Sequence, residues 1–206
     1  MQKRLTRTGL LEGVNNLVQT DNGFARIVSR YGPPPLWKRP QGFPTLIHII
    51  LEQQVSLASA KAAYNKLRER LTPIRPSKFL QLSDDELKKI GFSRQKTRYG
   101  RELALALTNG SLDLSSLNKR SDRDVKNQLV QIKGIGPWTA DIYLIVALGR
   151  PDVWPDGDMA LAAAIKQLKD LSQRPSSKQM RRMSQKWRPW RAVAARLLWH
   201  YYLSEK

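Results

Sequence analysis

Apolar side chains along this chain recur at three- and four-residue spacing, and no stretch alternates apolar with polar residues as a half-buried strand would. Spacing of that kind lines one face of a 3.6-residue helix. The chain is therefore expected to be all-α. Proline and glycine then cut it into pieces. Helices are expected at 10–19 and 22–30, divided at Asp21-Asn22-Gly23, with Gly32-Pro33-Pro34-Pro35 ending the second. A further helix carries Leu46, Ile47, Ile49, Ile50 and Leu51, and another runs from near Ser56 to about Leu71, after which Pro73 and Pro76 break the chain. Asp84 and Asp85 open a short helix closed by Gly91. Ser93 is placed to cap the next, on which Tyr99, Leu103 and Leu107 fall four apart. Later helices are expected at 122–132, from Pro137 to about Leu148, after Asp158, and at about 176–186 and 190–203.

Charge narrows the partners. Lys and Arg number 36 against 17 Asp and Glu, a net +19, which calls for a polyanion: DNA, RNA or an anionic membrane face. No run approaches the roughly 18 apolar residues of a membrane span, so nucleic acid leads. There is no cysteine, which excludes disulfides, a cysteine nucleophile and cysteine-held zinc or iron–sulfur clusters, and fits a reducing compartment. His48 and His200 are too few for a histidine-rich metal site. The basic tail has ten Lys and Arg against one Asp between Lys166 and His200. It is expected to contact phosphates through Arg181, Arg182 and Arg191, unless it is a solvated helix face.

The most informative segment is Leu129-Val-Gln-Ile-Lys-Gly-Ile-Gly-Pro-Trp-Thr-Ala140. Two helices meet at a turn with glycine at alternate positions, Gly134 and Gly136. Glycine permits positive φ and lets backbone N–H groups come close to an anion, and the helix that follows adds its positive dipole end. Pro137 suits that helix's first turn because it has no N–H to lose. Such a hairpin suits a grip on backbone phosphate that reads no sequence, with an ordinary tight helical turn as the alternative. Lys133 adds a mobile charge in the turn.

At this point the chain resembles the helix-hairpin-helix DNA glycosylase superfamily, and within it the 3-methyladenine DNA glycosylase II, or alkylbase, branch. The resemblance runs from about residue 15 to 203. Its segments stand in the family's order: Gly32-Pro-Pro-Pro-Leu-Trp37 with Arg39-Pro-x-Gly-Phe43, Ile50-Leu-Glu-Gln-Gln-Val-Ser56, Gly91-Phe-Ser-Arg-Gln-Lys-Thr-Arg-Tyr99, the hairpin, Val153-Trp-Pro-Asp-Gly-Asp158 and Trp187-Arg-Pro-Trp-Arg191. The extra N-terminal β-domain of some members is not expected to have a counterpart among these residues. The resemblance implies two helical lobes with a cleft between them within one compact unit: a central lobe of about 54–150, with the helix-hairpin-helix at 122–148, and a second built from about 1–53 and 151–206.

What the resemblance implies for chemistry is hydrolysis of an N-glycosidic bond in alkylated duplex DNA. Bond breaking builds positive charge on the sugar, and one carboxylate can stabilise it and orient water. An alkylated purine leaves as a cation already, so little acid help is needed. The family's carboxylate falls on Asp158. Read locally, Asp158 is also an N-cap at the start of a helix, and the two roles are compatible. Asp156, two residues earlier, reads as loop surface. Members that also cut the backbone carry a lysine nucleophile early in the helix after the hairpin. Here that position is Trp138, so no Schiff base can form there and the product is an abasic site. The extruded base would be received by aromatic rings: Trp199 by family position, Trp138 from the hairpin side, and Tyr143. Core packing is the alternative role for each, and Trp187 and Trp190 read as structural. DNA contacts are assigned to Lys133, Gly134, Gly136, Thr139, Gln53 and Gln54. The last two fall where relatives place the plug that fills the vacated stack, although some use an apolar wedge where this chain has Gln54, and a structural polar cap at the helix junction is the alternative role.

No cofactor is expected, apart from a monovalent Na+ or K+ ion held at the hairpin by the backbone carbonyls of Val130, Ile132 and Ile135. The expected protein is a monomer at home in the cytoplasm, or the nucleus of a eukaryote, with no membrane and no obligate protein partner. Its lesions would be drawn from 3-methyladenine, 7-methylguanine, ethenoadenine and hypoxanthine. Two rival functions stay open: a non-catalytic damage-sensing module on the same hairpin, and a bifunctional glycosylase/lyase.

Overall fold

The computed structural model describes residues 4–205, and among these there are helices, turns and loops but no strand. The helices are α1 (Arg7–Thr20), α2 (Asn22–Tyr31), α3 (Phe43–Glu52), α4 (Leu57–Arg70), α5 (Pro76–Leu80), α6 (Asp84–Ile90), α7 (Arg94–Thr108), α8 (Asp122–Leu129), α9 (Pro137–Val146), α10 (Met159–Leu168), α11 (Ser177–Ser184) and α12 (Arg191–Ser204). Single 3-10 turns lie at Leu117–Lys119 and Gln185–Trp187. None of these helices is long and apolar enough to cross a membrane.

Short polar side chains start most of them. Ser56, Ser83, Ser93, Ser121 and Ser176 each accept the N–H three residues on, with full capping boxes at Ser83/Glu86 and Ser176/Gln179. Asp21 ends α1 and caps α2 by accepting the Gly23 amide, so one residue makes the expected turn. Pro76 opens α5, where a chain break was expected. Proline at the first helical position loses no internal hydrogen bond, so the same residue that ends one segment begins another. Helix α8 stops at Leu129, short of the expected 132, because residues 130–134 turn into the hairpin.

Chain contacts divide the protein into two compact units, 1–38 with 144–206 and 39–143. The expected boundaries near residues 54 and 150 move. Helix α3 packs on α4 and α7, so it belongs with the central segment. The first unit packs α12 against α1, α2 and α10. Its core includes Leu17, Phe24, Ile27, Leu161, Ile165, Val193 and Leu197, all buried. Trp187 stands between Phe24 and Trp154, at ring distances of 5.2 and 5.3 Å, and is structural as expected. Arg196 is the unexpected member. It is 1% exposed and donates to the carbonyls of Leu36, Ala192 and Ile145 at 2.9–3.0 Å, and burial lowers its pKa to about 10.

The second unit is organised on α3, whose Phe43, Leu46, Ile47, Ile49, Ile50 and Leu51 are all buried. A helix apolar on every side must be central to what it packs with. Its last turn carries the polar exception. Glu52 receives two hydrogen bonds from Arg39, at 2.5 and 3.0 Å, and His48 lies 3.6 Å from the same carboxylate. His48 stacks flat on Tyr64, 4.1 Å between centroids, and burial followed by the charge of Arg39 lowers its pKa.

Candidate functional site

The hairpin joins α8 to α9 in the second unit, as the glycine spacing predicts. Its turn closes through the Ile135 amide donating to the Ile132 carbonyl at 2.9 Å, with Ile135 buried as the anchor. Gly134 has φ +95°, which only glycine adopts without strain. Gly136 is exposed, and the space its side chain would fill is empty to 4 Å. Among the described residues the amides of Gly134 and Gly136 donate to nothing within the protein. Lys133 beside them is exposed and free of ion pairs. Two unpaired N–H groups, a mobile ammonium and open space at a helix start are what phosphate binding requires.

Two side chains hold this turn from behind. Gln53 donates its amide nitrogen to the Gly134 carbonyl and to the Thr139 hydroxyl, both at 2.9 Å. The ring of Tyr99 lies directly against Gly134, so close that an added Cβ would stand 2.1 Å from its Cγ. Gln53 and Thr139 were both expected at the DNA, and the structure corrects this. Thr139 is 1% exposed, and the Gln53 amide hydrogens are committed inside the unit. They brace the hairpin. Lys96 supports the same corner by donating to the Leu51 carbonyl at 2.7 Å, and desolvation lowers its pKa. Gln54, by contrast, is exposed with φ +55°, beside the exposed Val55 and Leu57. The sequence held a signal for Tyr99 in the segment Gly91–Tyr99. It held none for the Gln53 brace, because glutamine's reach across 81 residues is a tertiary fact.

Asp158 lies in the first unit and caps α10, its Oδ1 accepting the Leu161 N–H at 2.9 Å. It is 6% exposed, unusual burial for a carboxylate, and the cap fixes its rotamer. The next residue, Met159, is 64% exposed. Asp156 stands in the loop as expected but is half-buried there: Oδ2 pairs with Arg181 while Oδ1 is enclosed. Trp199 is half-buried on α12, the helix against which α10 packs, and it rests on that unit's apolar core. Trp138 is half-buried in the first turn of α9. Tyr143 is a correction. Its ring is wholly buried, its hydroxyl accepts the Gly42 amide at 3.1 Å, and burial pushes its pKa up to about 12. It is a core residue with no face to offer a base.

The basic tail divides. Arg191 spends its guanidinium on Asp152 through Nε and Nη2, at 2.8 and 3.0 Å, and Arg181 is paired with Asp156. Arg182 is exposed and carries no ion pair. Among the described residues no group of three His, Asp or Glu side chains forms a metal site.

Comparison with known proteins agrees with this layout. The family model described as HhH-GPD superfamily base excision DNA repair protein matches residues 47–189. A putative DNA-3-methyladenine glycosylase of Bacillus subtilis (strain 168) is 34% identical over 125 residues, covering 61% of this chain and 44% of that protein. An alkylbase DNA glycosidase-like protein of Schizosaccharomyces pombe is 28% identical over 191 residues, covering 89% of this chain and 90% of its own. Among solved structures, the S. pombe 3-methyladenine DNA glycosylase in complex with abasic DNA matches with a TM-score of 0.85 at 25% identity. That match covers 91% of this chain and 95% of the other. The DNA-3-methyladenine glycosidase of Bacillus halodurans matches with a TM-score of 0.73 at 29% identity, covering 94% and 91%.

Proposed function

The chain belongs to the HhH-GPD superfamily of base excision DNA repair proteins, and from that premise we propose that it is a monofunctional DNA glycosylase that hydrolyses alkylated purines out of duplex DNA. The observation that carries the reading is Asp158: a buried carboxylate, locked by its own helix cap and standing in the family's register after the hairpin. Its charge stabilises the sugar cation as the N-glycosidic bond breaks, and it orients the attacking water. Rigidity matters because a preorganised carboxylate needs no rearrangement when the charge develops. The hairpin amides and Lys133 hold the phosphate backbone without reading sequence. Trp138, where lyases need an amine, leaves no nucleophile for a Schiff base at that position, and the product is an intact strand with an abasic site. Trp199 in the first unit and Trp138 in the second are each half-buried, and either ring can stack on an electron-poor base. A monovalent cation at the hairpin would be held by the carbonyls of Val130, Ile132 and Ile135. Each has a lone pair available, that of Ile132 even after it accepts the Ile135 amide. When bound, it would add fixed positive charge beside the phosphate. The protein acts as a monomer on DNA.

The test is base release from duplexes carrying 3-methyladenine, 7-methylguanine, ethenoadenine or hypoxanthine, run alongside borohydride trapping. Release of methylated purines without a trapped adduct is expected. No release from any lesion would favour the damage-sensing module, and a trapped adduct would favour a lyase.

A further inference from the structure

The DNA-contacting surface does not stop at the hairpin. We propose that the outer side of α7 beside it, formed by the exposed Arg94, Gln95 and Arg98 with the half-buried Tyr99, is a second phosphate-contacting surface that continues the hairpin's grip along the DNA backbone. This rests on the DNA-binding reading given above.

Three observations support it. The first is continuity: the Tyr99 ring is seated on Gly134, so α7's outer face begins where the hairpin ends. The second is charge without partners. Arg94 and Arg98 are exposed, and among the described residues neither guanidinium takes part in a hydrogen bond or ion pair. They contrast with Arg101 on the same helix, which is committed to Asp84 and to the carbonyls of Leu80 and Leu82. Glu102 follows Arg98 by four residues, yet no ion pair joins them. The third is an available donor. Gln95 donates to the Tyr99 hydroxyl at 2.6 Å, so the oxygen is already an acceptor and its own hydrogen is left to donate outward.

The placement is also costly for the helix alone. Cations in a first turn oppose the helix dipole, and α7 carries Arg94 and Lys96 there with no acid. Ser93 satisfies the Lys96 amide, and the arginine and tyrosine side chains supply the donors on this face. A row of backbone phosphates has the charge and spacing to meet two arginines and a tyrosine hydroxyl on one face.

The experiment measures binding of the full chain to undamaged duplex DNA and to a duplex with an abasic site, across a range of KCl concentrations. Each arginine engaged with one phosphate contributes about 0.9 to the slope of log affinity against log salt. Arg94→Ala and Arg98→Ala should each lower the slope by about that amount on both duplexes. Their melting temperatures should be unchanged or slightly higher, because an unfavourable dipole contact is removed. Tyr99→Phe should weaken binding several-fold and leave the slope alone. Lys133→Ala is the hairpin control. If the wild type shows no salt-dependent binding, the DNA-binding reading itself fails. If the wild type binds, Lys133→Ala lowers the slope and the two arginine variants do not, the extended surface is refuted.

Discussion

The two hairpin glycines should fail in opposite ways when given a methyl group. At Gly134 the φ of +95° places alanine in a region that costs about 1–3 kcal/mol. The new Cβ would also lie 2.1 Å from Cγ and 2.5 Å from Cβ of Tyr99. These atoms are the root of the ring, so no rotamer change clears them and the backbone of α7 or the hairpin must move. Overpacking of that kind adds about 1–3 kcal/mol. Gly134→Ala should therefore destabilise by about 2–6 kcal/mol, or about 4–24 °C in melting temperature for a chain of this size. At Gly136 no atom lies within 4 Å of the added Cβ and φ is not positive. Gly136→Ala should melt within a few degrees of wild type, yet weaken DNA binding, because the methyl stands beside the amide that approaches the phosphate. Thermal melts and duplex titrations on the two variants decide it. Equal destabilisation by both substitutions, or a Gly134→Ala variant as stable as wild type, would refute the division of roles.

Arg196→Met keeps the apolar stem but removes the donor from the carbonyls of Leu36 and Ile145, at about 1–3 kcal/mol each where no relaxation occurs, while the Ala192 carbonyl keeps its helical N–H. A net loss of about 3–5 kcal/mol is expected in urea unfolding, and wild-type stability would contradict it. Gln53→Ala should raise KM for DNA more than it lowers kcat, since it loosens the brace and not the chemistry. Equal effects on both constants would place Gln53 in the reaction. His48 has a folded pKa below its ordinary 6.5, so between the two values the unfolded chain binds more protons. Its contribution to stability is complete above pH 6.5 and is lost as pH falls from there toward the folded value. His48→Gln should flatten that part of the melting profile, with His200, also lowered, supplying the remainder.

Local structure was legible wherever one residue makes its own statement. The Ser93 cap, the Asp21 turn and the hairpin glycines all act within four residues of themselves, and the structure places them as read, while the caps at Ser83, Ser121 and Ser176 are found only in the structure. Pro76 was misread because a helix breaker and a helix starter are the same residue seen from opposite sides. Gln53 and Tyr143, each open to a contact or a structural role, and Thr139, assigned to DNA, are all structural, for a different reason. Their polar atoms have partners 81 to 101 residues away, and sequence offers only the side chain's capacity, not its direction. The same holds for Arg191, whose charge suggested phosphate and whose geometry serves Asp152. Boundaries of the two units depended on α3, a run apolar on every side, which sequence cannot attach to one neighbour over another.

Asp158→Asn is the most direct test. Asparagine keeps an oxygen to accept the Leu161 amide, so the cap survives while the charge is removed. Single-turnover release of methylated purine from duplex DNA should fall by at least about a hundredfold, with melting temperature and abasic-DNA affinity close to wild type. Release at the wild-type rate from a folded, DNA-binding Asp158→Asn protein would contradict the assignment of Asp158 as the catalytic carboxylate.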